Sequence, residues 1–533
     1  MMAFFYYMKK YLIIFALCSV SHCYYSYNSD DWFFVLKPGE IKSITSDSFS
    51  VYFLSNNGIY SYDYLDNHFL YNKGLSQNLD FSNYKYLHYH SAIDYFYLFS
   101  EEAIFYKTSL GSVWKEISLN KFKINSIYSI SDIGFSNENI ILKTLDKQNI
   151  LIDLFTLDIV KSKNPLINNI KWLNINNSID ISNYYTLDNS LIYSNYINDE
   201  SNIIHSVSSH FLDKDANLWI GMNTGVIYKV DDYSYQIEKM NIGPQINHVS
   251  GIYKDEGSIW YFYDKYYKRT GNYNMIENTG YFVSIWNENS NTWKHISRNE
   301  HHFLRNAIIN NVNSQGDLIF FQCLNGIIIY NQAEDLWFHK YIFLSGSDKS
   351  IWDIDFYNKN IFFASSNGFA IADYILVNNE PKFFNYEVLL NGVEVYDIES
   401  VNDKIYFSTN NGLYQYSIDN QLFNKIDENI YLQIEVKDSM IFGSNENLWK
   451  INLDGRKLIS KNVKIFSISD NNICASDYLD LKIINYNKKD NWFLNLSRIN
   501  LNESIYSIDC DKNWLWFTGK NGLTFFNWVK YDY

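Results

Sequence analysis

The chain has 533 residues, of which 47% are hydrophobic and 18% aromatic, and its 44 basic and 59 acidic residues give a formal net charge of -15. A chain of this length forms more than one hydrophobic core, and abundant aromatic residues favour β-sheet. The sequence shows no cluster of Lys and Arg that could follow a phosphate backbone, so nucleic acid is excluded as an expected partner.

The N-terminal residues have the pattern of an export signal. Lys9 and Lys10 precede an apolar stretch at residues 11–17, and small residues follow it. This order predicts a signal peptide over residues 1–23. No later stretch of about 18 apolar residues occurs, so the mature chain is expected to have no transmembrane helix. The protein is therefore expected to be periplasmic, at the cell surface or secreted.

The cysteines leave one question open at the end of this signal. Cys23 is preceded by Val20-Ser-His, which resembles a bacterial lipoprotein signal, although His22 is bulky where a small residue is usual. Lipidation of Cys23 and ordinary cleavage without a lipid anchor are therefore the two alternatives. Cys323 and Cys474 lie in apolar segments, so buried free thiols are expected rather than a disulfide framework.

A short pattern of turn, strand, tight turn and strand recurs along the rest of the chain. It is clearest in residues 215–231, DANLWIGMNTGVIYKVD. From Gly58 to Gly522 the tight turn recurs over eleven steps with a mean spacing of roughly 42 residues, a period typical of propeller blades. Gly, Asn or Asp is expected there because these residues tolerate a left-handed backbone. Ala103 and Ser190 depart from this rule. The twelve turn residues are Gly58, Ala103, Asn149, Ser190, Gly225, Gly280, Gly326, Gly368, Gly412, Asn447, Asp480 and Gly522.

Each repeat contains four strand-like segments joined by short turns, as expected for a four-stranded blade. The second segment is often apolar on both faces, which indicates a blade packed between two neighbours. The Trp of this segment, at Trp219, Trp260 and Trp516, is expected in the core. The predicted fold class is all-β, with two β-propellers built from about twelve four-stranded blades.

Two of these repeats resemble a known family. Leu218-Trp-Ile-Gly221 with Gly225, and Leu515-Trp-Phe-Thr518 with Gly522, are similar to the two-component-regulator propeller repeat of bacterial ligand sensors, which also occurs in secreted stand-alone proteins. The resemblance implies paired propellers outside the cytoplasm that sense glycans or take part in a cell-surface assembly. No kinase region or membrane helix is recognised after Gly522, so direct signalling across a membrane is not expected.

The ends of the chain suggest how one ring closes. Residues 31–35 resemble the fourth strand of a repeat, and the last repeat has no separate fourth strand. We expect residues 31–35 to pair beside the strand near Leu523–Phe526, which avoids a free sheet edge. The predicted first propeller covers residues 31–240 completed by residues 500–533, and the second covers residues 241–499. A division into five and seven repeats is the alternative.

One insertion breaks the repeat. Repeat six separates its second and third strands by DKYYKRTGNYNMIENT, whereas a hairpin needs only about three to five residues. The insertion concentrates basic and aromatic residues on an acidic protein, which is typical of a surface that binds an anionic glycan, an acidic peptide or a partner protein. A tolerated surface loop is the alternative. The predicted binding residues are Lys265, Tyr266, Tyr267, Lys268, Arg269 and Tyr273.

Motifs for catalysis, metals and cofactors are not recognised. The sequence contains no nucleophile elbow, HExxH, phosphate loop or CxxC pair, so no catalytic residue and no cofactor are predicted. Two segments, at residues 213–217 and 509–513, resemble the start of a calcium loop but lack its later Gly and Glu, which favours ordinary turns. The histidine pairs at residues 88/90 and 301/302 lack a third ligand, which favours hydrogen-bonded or solvated histidines.

Two functional hypotheses follow. The first is a non-enzymatic binding or scaffold protein outside the cytoplasm, recognising a glycan, a peptide or a partner protein. The second is a hydrolase or lyase acting on polysaccharide or cell-wall material, with its site in a propeller funnel. An enzyme should bring several carboxyl or imidazole groups with perturbed pKa values together in one mouth.

Overall fold

The structure is a computed structural model. It describes residues 31–76, 79–111, 113–160, 170–173, 179–231, 233–246, 248–255, 257–264, 266–267, 272–273, 280–342, 350–452, 455–486, 491–494, 504–519 and 522–528. The expected signal peptide and Cys23 lie outside these residues. Helix is limited to an α-helix at Lys73–Ser76 and 3-10 helices at Phe81–Asn83, Leu119–Phe122 and Ile127–Ser129 in the described part of the chain. None of the helices described is long and apolar enough to span a membrane.

The strands cover most of the described chain. Those of repeats one to five, with the N-terminal strand, are β1 (Trp32–Val35), β2 (Ile41–Ser46), β3 (Ser50–Ser55), β4 (Gly58–Asp63), β5 (His68–Tyr71), β6 (Tyr84–His90), β7 (Tyr95–Ser100), β8 (Ala103–Thr108), β9 (Lys115–Ser118), β10 (Ile130–Phe135), β11 (Asn139–Thr144), β12 (Asn149–Asp153), β13 (Lys171–Trp172), β14 (Leu191–Ile192), β15 (Tyr196–Asn198), β16 (Ile204–Leu212), β17 (Leu218–Met222), β18 (Ile227–Asp231) and β19 (Gln236–Met240).

The remaining repeats continue in the same way. Their strands are β20 (Gly251–Asp255), β21 (Ser258–Phe262), β22 (Tyr266–Tyr267), β23 (Asn272–Tyr273), β24 (Tyr281–Asn287), β25 (Thr292–Ser297), β26 (Ile309–Gln315), β27 (Leu318–Cys323), β28 (Gly326–Asn331), β29 (Leu336–Lys340), β30 (Ile351–Tyr357), β31 (Asn360–Ser365), β32 (Gly368–Val377), β33 (Glu380–Asn391), β34 (Val395–Val401), β35 (Lys404–Thr409), β36 (Gly412–Ser417), β37 (Leu422–Asp427), β38 (Gln433–Lys437), β39 (Met440–Ser444), β40 (Glu446–Asn452), β41 (Gly455–Val463), β42 (Ile465–Ser469), β43 (Asn472–Ser476), β44 (Leu481–Asn485), β45 (Asn491–Leu494), β46 (Ser507–Cys510), β47 (Trp514–Gly519) and β48 (Gly522–Asn527).

These strands form antiparallel four-stranded sheets, which confirms the predicted all-β propeller fold. Ten sheets of the described residues have four strands, one has six and one, β22–β23, has two. Repeats one to three and six to twelve each form a four-stranded sheet, whereas the short hairpin β14–β15 of repeat four joins the sheet of repeat five. As predicted, the second strands are buried: every residue of β27 is buried on both faces.

The left-handed backbone expected at the turns is confirmed at the turn glycines. It is wrong at the three turns assigned to Asn or Asp. Gly522 has φ 114°, and a Cβ there would lie 2.5 Å from the carbonyl oxygen of Val35. At the turns expected to centre on Asn149, Asn447 and Asp480, positive φ instead occurs at Lys147, Glu446 and Tyr478. The hairpins at these positions are built one or two residues earlier than the alignment implied.

The N-terminal strand completes the C-terminal sheet as predicted. Trp32 pairs with Phe526 and Val35 with Leu523, so that the sheet has the order β1-β48-β47-β46. Trp32 is 4% exposed and its ring stacks on Phe526 with centroids 4.3 Å apart. The first strand therefore covers an edge that β48 would otherwise expose.

The neighbours of the C-terminal sheet differ from those expected. Its inner strand, β46, packs between β42 and β20, and thus beside repeats eleven and six. The inner strand of repeat five, β16, packs instead on β2 of repeat one. The buried Trp residues of repeats five and twelve show the same neighbours. Trp219 of repeat five contacts Phe53 of repeat one, and Lys254 of repeat six lies 4.1 Å from the Trp516 ring of repeat twelve.

We therefore propose the division into five and seven repeats, with the boundary near residue 240 unchanged. Below, "first ring" means repeats one to five, and "second ring" means repeats six to twelve together with β1. The core lies between neighbouring sheets in both rings, where Trp219, Trp260 and Trp516 are at most 3% exposed, as predicted. Cys323, Cys474 and Cys510 are buried free thiols, which confirms the expectation for the first two.

Candidate functional site

The insertion of repeat six is only partly described. The backbone of β22 pairs with that of β23, with Tyr266 opposite Tyr273 and Tyr267 opposite Asn272. The side chains of these tyrosines, and Lys265, Lys268 and Arg269 as a whole, lie outside what the structure describes. β22 lies next to β26. The predicted binding surface on this insertion therefore stays a prediction.

The residues considered for metals have structural partners. The side chain of Asp213 accepts hydrogen bonds from the backbone N–H groups of Asp215 and Asn217, both at 2.9 Å, so this segment is an ordinary turn. His88 stacks on Phe135 with ring centroids 3.9 Å apart, and His90 Nε2 lies 2.9 Å from the Ser136 carbonyl oxygen. Within the described residues, no group of three His, Cys, Asp or Glu side chains could hold a metal ion.

The central channel of the second ring holds a cavity of about 450 Å³ that the sequence did not reveal. It is lined by the inner strands of neighbouring sheets, and its wall is rich in side chains that accept hydrogen bonds. At equivalent positions, an Ile or Val separates two polar residues that face the channel. The polar lining residues of these pairs are Asn311 and Asn313, Asp353 and Asp355, Asp397 and Glu399, and Gln433 and Glu435.

Many of these side chains join one blade to the next. The backbone N–H of Ile398 donates to Asp353 Oδ2 at 3.1 Å, and that of Ile434 donates to Asp397 Oδ2 at 2.7 Å. In both cases the carboxylate and the amide belong to adjacent inner strands. An inner strand has backbone groups on its free edge, and these carboxylates supply the acceptors those groups need.

The second carboxyl group of each pair, two residues further along its strand, forms a second layer. This layer follows the same rule with one exception. The backbone N–H of Ser400 donates to Asp355 Oδ2 at 2.5 Å, and that of Ile468 donates to Glu435 Oε2 at 2.9 Å. Glu399 lies between these two on the central inner strand. No hydrogen bond from Glu399 to another described residue is present, and the residue is half-buried in the channel wall.

Burial raises the pKa of this layer. It brings the pKa of Asp355 to about 6 and that of Glu435 to about 8, although the amide donors act in the opposite direction. The pKa of Glu399 is raised well above its usual value, first by burial and then by the nearby charges of Asp355 and Glu435. Burial also raises the pKa of Asp509, whose Oδ1 accepts a hydrogen bond from Ser467 Oγ at 2.7 Å. The channel thus crowds acidic groups that repel one another.

Two amide oxygens in the same wall have no hydrogen-bond partner among the described residues. Asn310 is 3% exposed, and its Nδ2 donates to the Ile351 carbonyl oxygen at 2.6 Å while its Oδ1 is buried without a hydrogen bond. The buried Oδ1 of Asn313 also has no partner in the described residues. Buried polar atoms are normally paired, so unpaired acceptors in the same cavity wall as Glu399 favour a ligand rich in hydrogen-bond donors.

A signal for this channel was present in the sequence. The segments Asp353-Ile-Asp355 and Asp397-Ile-Glu399 repeat with the spacing of the blades. Reading them as one site requires knowing that the first strand of every repeat faces the same axis. A site that takes one or two residues from each of several strands has no single continuous motif in the sequence.

Comparison with known proteins gives matches to solved structures only; no family model and no curated protein matches the chain. PorZ, an essential bacterial surface component of the type-IX secretion system of Porphyromonas gingivalis, matches with 12% identity over 93% of this chain and 87% of its own, at a TM-score of 0.46. The extracellular domain of the putative one-component system BT4673 from B. thetaiotaomicron matches with 13% identity over 91% of this chain and 75% of its own, at a TM-score of 0.41. The extracellular domain of the putative hybrid two-component system BT3049 from the same organism shows 14% identity over 95% of this chain and 76% of its own, again at 0.41. Likenesses at this level carry no inference about what the present chain binds.

Proposed function

We propose that the protein is a non-enzymatic binding protein outside the cytoplasm, and that the channel of the second ring takes up a cationic group of a peptide or partner protein. The observation that supports this most is the carboxyl group of Glu399, which has no hydrogen bond to another described residue and lines the same cavity as Asn310 and Asn313, whose amide oxygens have no partner among the described residues. A Lys ammonium or Arg guanidinium offers donors only, and its charge favours the ionised form of Glu399, so it suits a wall of this composition.

The channel favours a cationic peptide or protein over a glycan, which the sequence also left open. Lys437 and Lys464 also line the cavity, and the charge of Lys437 lowers the pKa of Glu435, whereas the charges that act on Glu399 all come from carboxyl groups. A neutral glycan has donors but would bring no counter-charge to Glu399. A cation beside Glu399 lowers the pKa of the neighbouring carboxyl groups, because it stabilises their ionised forms. Binding should therefore release protons, most of all near the pKa of about 8 of Glu435.

Binding of tri-arginine measured by isothermal titration calorimetry tests the proposal. The variant Glu399→Gln should weaken binding about tenfold or more, because a charge-assisted hydrogen bond contributes about 1.5–3 kcal/mol. Glu387→Gln removes an exposed carboxylate of the same ring and serves as the matched control, with affinity close to that of the wild type. Equal affinities for the wild type and Glu399→Gln, or binding of tri-alanine as tight as that of tri-arginine, would contradict the channel as a cation site.

One observation favours the enzyme alternative. The channel does bring several carboxyl groups with raised pKa values together, and at pH 7 a group with a pKa of about 8 is mostly protonated while one of about 6 is mostly ionised. Such a pair suits a general acid and a general base. Against this, both groups accept a backbone amide of the next blade, which explains their position structurally. Release of reducing ends from polysaccharide or cell-wall material by the wild type but not by a folded Glu435→Gln variant would establish the hydrolase or lyase.

The insertion of repeat six remains a second proposed binding surface, for an anionic glycan, an acidic peptide or a partner protein. Replacing residues 265–279 by Asn-Gly should leave the fold intact, because Phe262 and Val283 already pair on either side of it. It should also abolish binding of acidic ligands such as polygalacturonate, measured by surface plasmon resonance. Unchanged binding after this deletion would make the segment an ordinary surface loop.

Export is part of the same proposal and rests on the signal pattern of residues 1–23 and on the repeat resemblance. We expect cleavage before about Tyr24, read from the N-terminal sequence of the mature protein. Radiolabelled palmitate that is incorporated by the wild type and lost in Cys23→Ala would establish the lipid anchor. Full-length protein recovered from the cytoplasm would contradict export.

A further inference from the structure

The channel of the first ring is built differently from that of the second. Strand β13 pairs with β10 on the side that faces the axis, so the sheet of repeat three has the order β12-β11-β10-β13. Gly134 makes this possible, because a Cβ there would lie 2.6 Å from Ile170 and 2.9 Å from the Trp172 ring. Strand β13 therefore occupies part of the channel and leaves a cavity of about 160 Å³.

The remaining cavity is basic. Four separate segments contribute Lys42 from β2, His88 from β6, Lys171 from β13 and His210 from β16. No Asp or Glu is present among the described residues that line it. This contrasts with the formal net charge of -15 of the chain and with the acidic channel of the second ring.

The two lysines have neutral partners in the described structure. Lys42 Nζ donates to the Phe81 carbonyl oxygen at 2.9 Å, and Lys171 Nζ lies 5.3 Å from the centre of the Phe211 ring. Burial lowers the pKa of both, and for Lys42 the charge of Lys85 adds to this while Glu40 and Asp80 partly oppose it. The pKa of His88 is lowered well below its usual value, first by burial and then by Lys171 and His90.

We propose that this cavity is a binding site for a small oxyanion or for the anionic group of a larger ligand, held by Lys171 and Lys42 with His88 and His210 beside it. The positive charges of Lys171 and Lys42 reach this space from separate strands, and no carboxylate of the described lining offsets them, so the cavity favours an anion. A volume of about 160 Å³ holds roughly five waters at about 30 Å³ each, which suits a phosphate or sulfate group.

Anion binding to the mature protein, followed by isothermal titration calorimetry at constant ionic strength, tests the site. Inorganic phosphate, sulfate and galacturonate are the three probes, which separate phosphoryl, sulfate and sugar carboxylate sources of the same charge. Lys171→Met should weaken binding of the preferred anion at least tenfold, and Lys171→Arg should retain it. Lys115→Met is the matched control, because Lys115 also lies against an aromatic ring, at 5.9 Å from Tyr106, but outside the channel.

The melting temperature without anion shows whether each variant folds. A folded Lys171→Met variant that binds the anions as tightly as the wild type would overturn the proposal. So would equal loss of binding in Lys115→Met, which would indicate a general charge effect, or no binding of any probe at millimolar concentration. If Lys171→Met does not fold, Lys171→Gln and Lys42→Met are compared with the wild type by the same measurement, and unchanged affinity in both would again overturn the proposal.

Discussion

Trp32→Ala should lower the free energy of unfolding of the second ring by about 3–5 kcal/mol, the usual cost of removing a buried aromatic side chain. Trp32 is 4% exposed, stacks on Phe526 and meets the Phe517 ring edge-on with centroids 6.5 Å apart. It also anchors the strand that covers β48. Its loss would weaken the closure of the ring as well as the local core, because the first and last segments of this ring meet at this sheet.

Urea denaturation followed by tryptophan fluorescence and circular dichroism measures this effect. Trp219→Ala marks the first ring, since Trp219 is fully buried there against Phe53 and Tyr62. If the rings unfold in separate transitions, Trp32→Ala should shift the one that Trp219→Ala leaves unchanged. Phe49→Ala is the control, because Phe49 is 66% exposed and its removal should change stability by less than about 0.5 kcal/mol. A shift of the same transition by Trp32→Ala and Trp219→Ala would contradict the division into five and seven repeats.

Features that depend on local pattern could be predicted from the sequence. The four-stranded repeats, the buried Trp of the second strand and the pairing of residues 31–35 with the last strand each follow from a short segment and its neighbours. The order of hydrophobic and polar residues fixes which face of a strand is buried, and a missing fourth strand implies a partner elsewhere. These features need no knowledge of the complete ring.

Features that depend on closure could not be predicted in this way. Which sheet lies beside the C-terminal one is decided by how many blades fit around an axis, and the sequence of residues 504–528 does not encode that number. The channel was not predicted for a related reason, since Asp353, Glu399 and Asn310 belong to three different strands and line one cavity only when the blades pack side by side. The insertion could be predicted as a candidate site because its length and its basic residues are visible in one continuous stretch of sequence.

Raising the pH should destabilise the wild type relative to Glu399→Gln. A carboxyl group whose pKa is higher in the folded than in the unfolded chain contributes stability below its unfolded pKa, and that stability is lost as the pH rises toward its folded pKa. Burial and the charges of Asp355 and Glu435 raise the pKa of Glu399 well above 4.5 in the folded protein. The difference in the free energy of unfolding should therefore be near zero at pH 4 and grow in favour of Glu399→Gln as the pH rises above 4.5 toward the folded pKa of Glu399.

The wild type and Glu399→Gln must be compared at the same pH, because other groups change the free energy of unfolding in the opposite direction as the pH changes. Burial lowers the pKa of His88 well below its usual value and that of His295 to about 3, so these histidines remove stability as the pH falls below 6.5. Their contribution is the same in both proteins and cancels in the difference. Urea unfolding of the wild type, Glu399→Gln and the exposed control Glu387→Gln at pH 4, 5, 6, 7 and 8 measures it. A difference that stays constant from pH 4 to 8 would mean that Glu399 is ionised and solvated in the channel, and its burial among other carboxyl groups would then be ruled out.

A saturating arginine peptide should reduce the difference at pH 7, because the cation supplies the counter-charge that the wild-type carboxyl group lacks and Gln does not need.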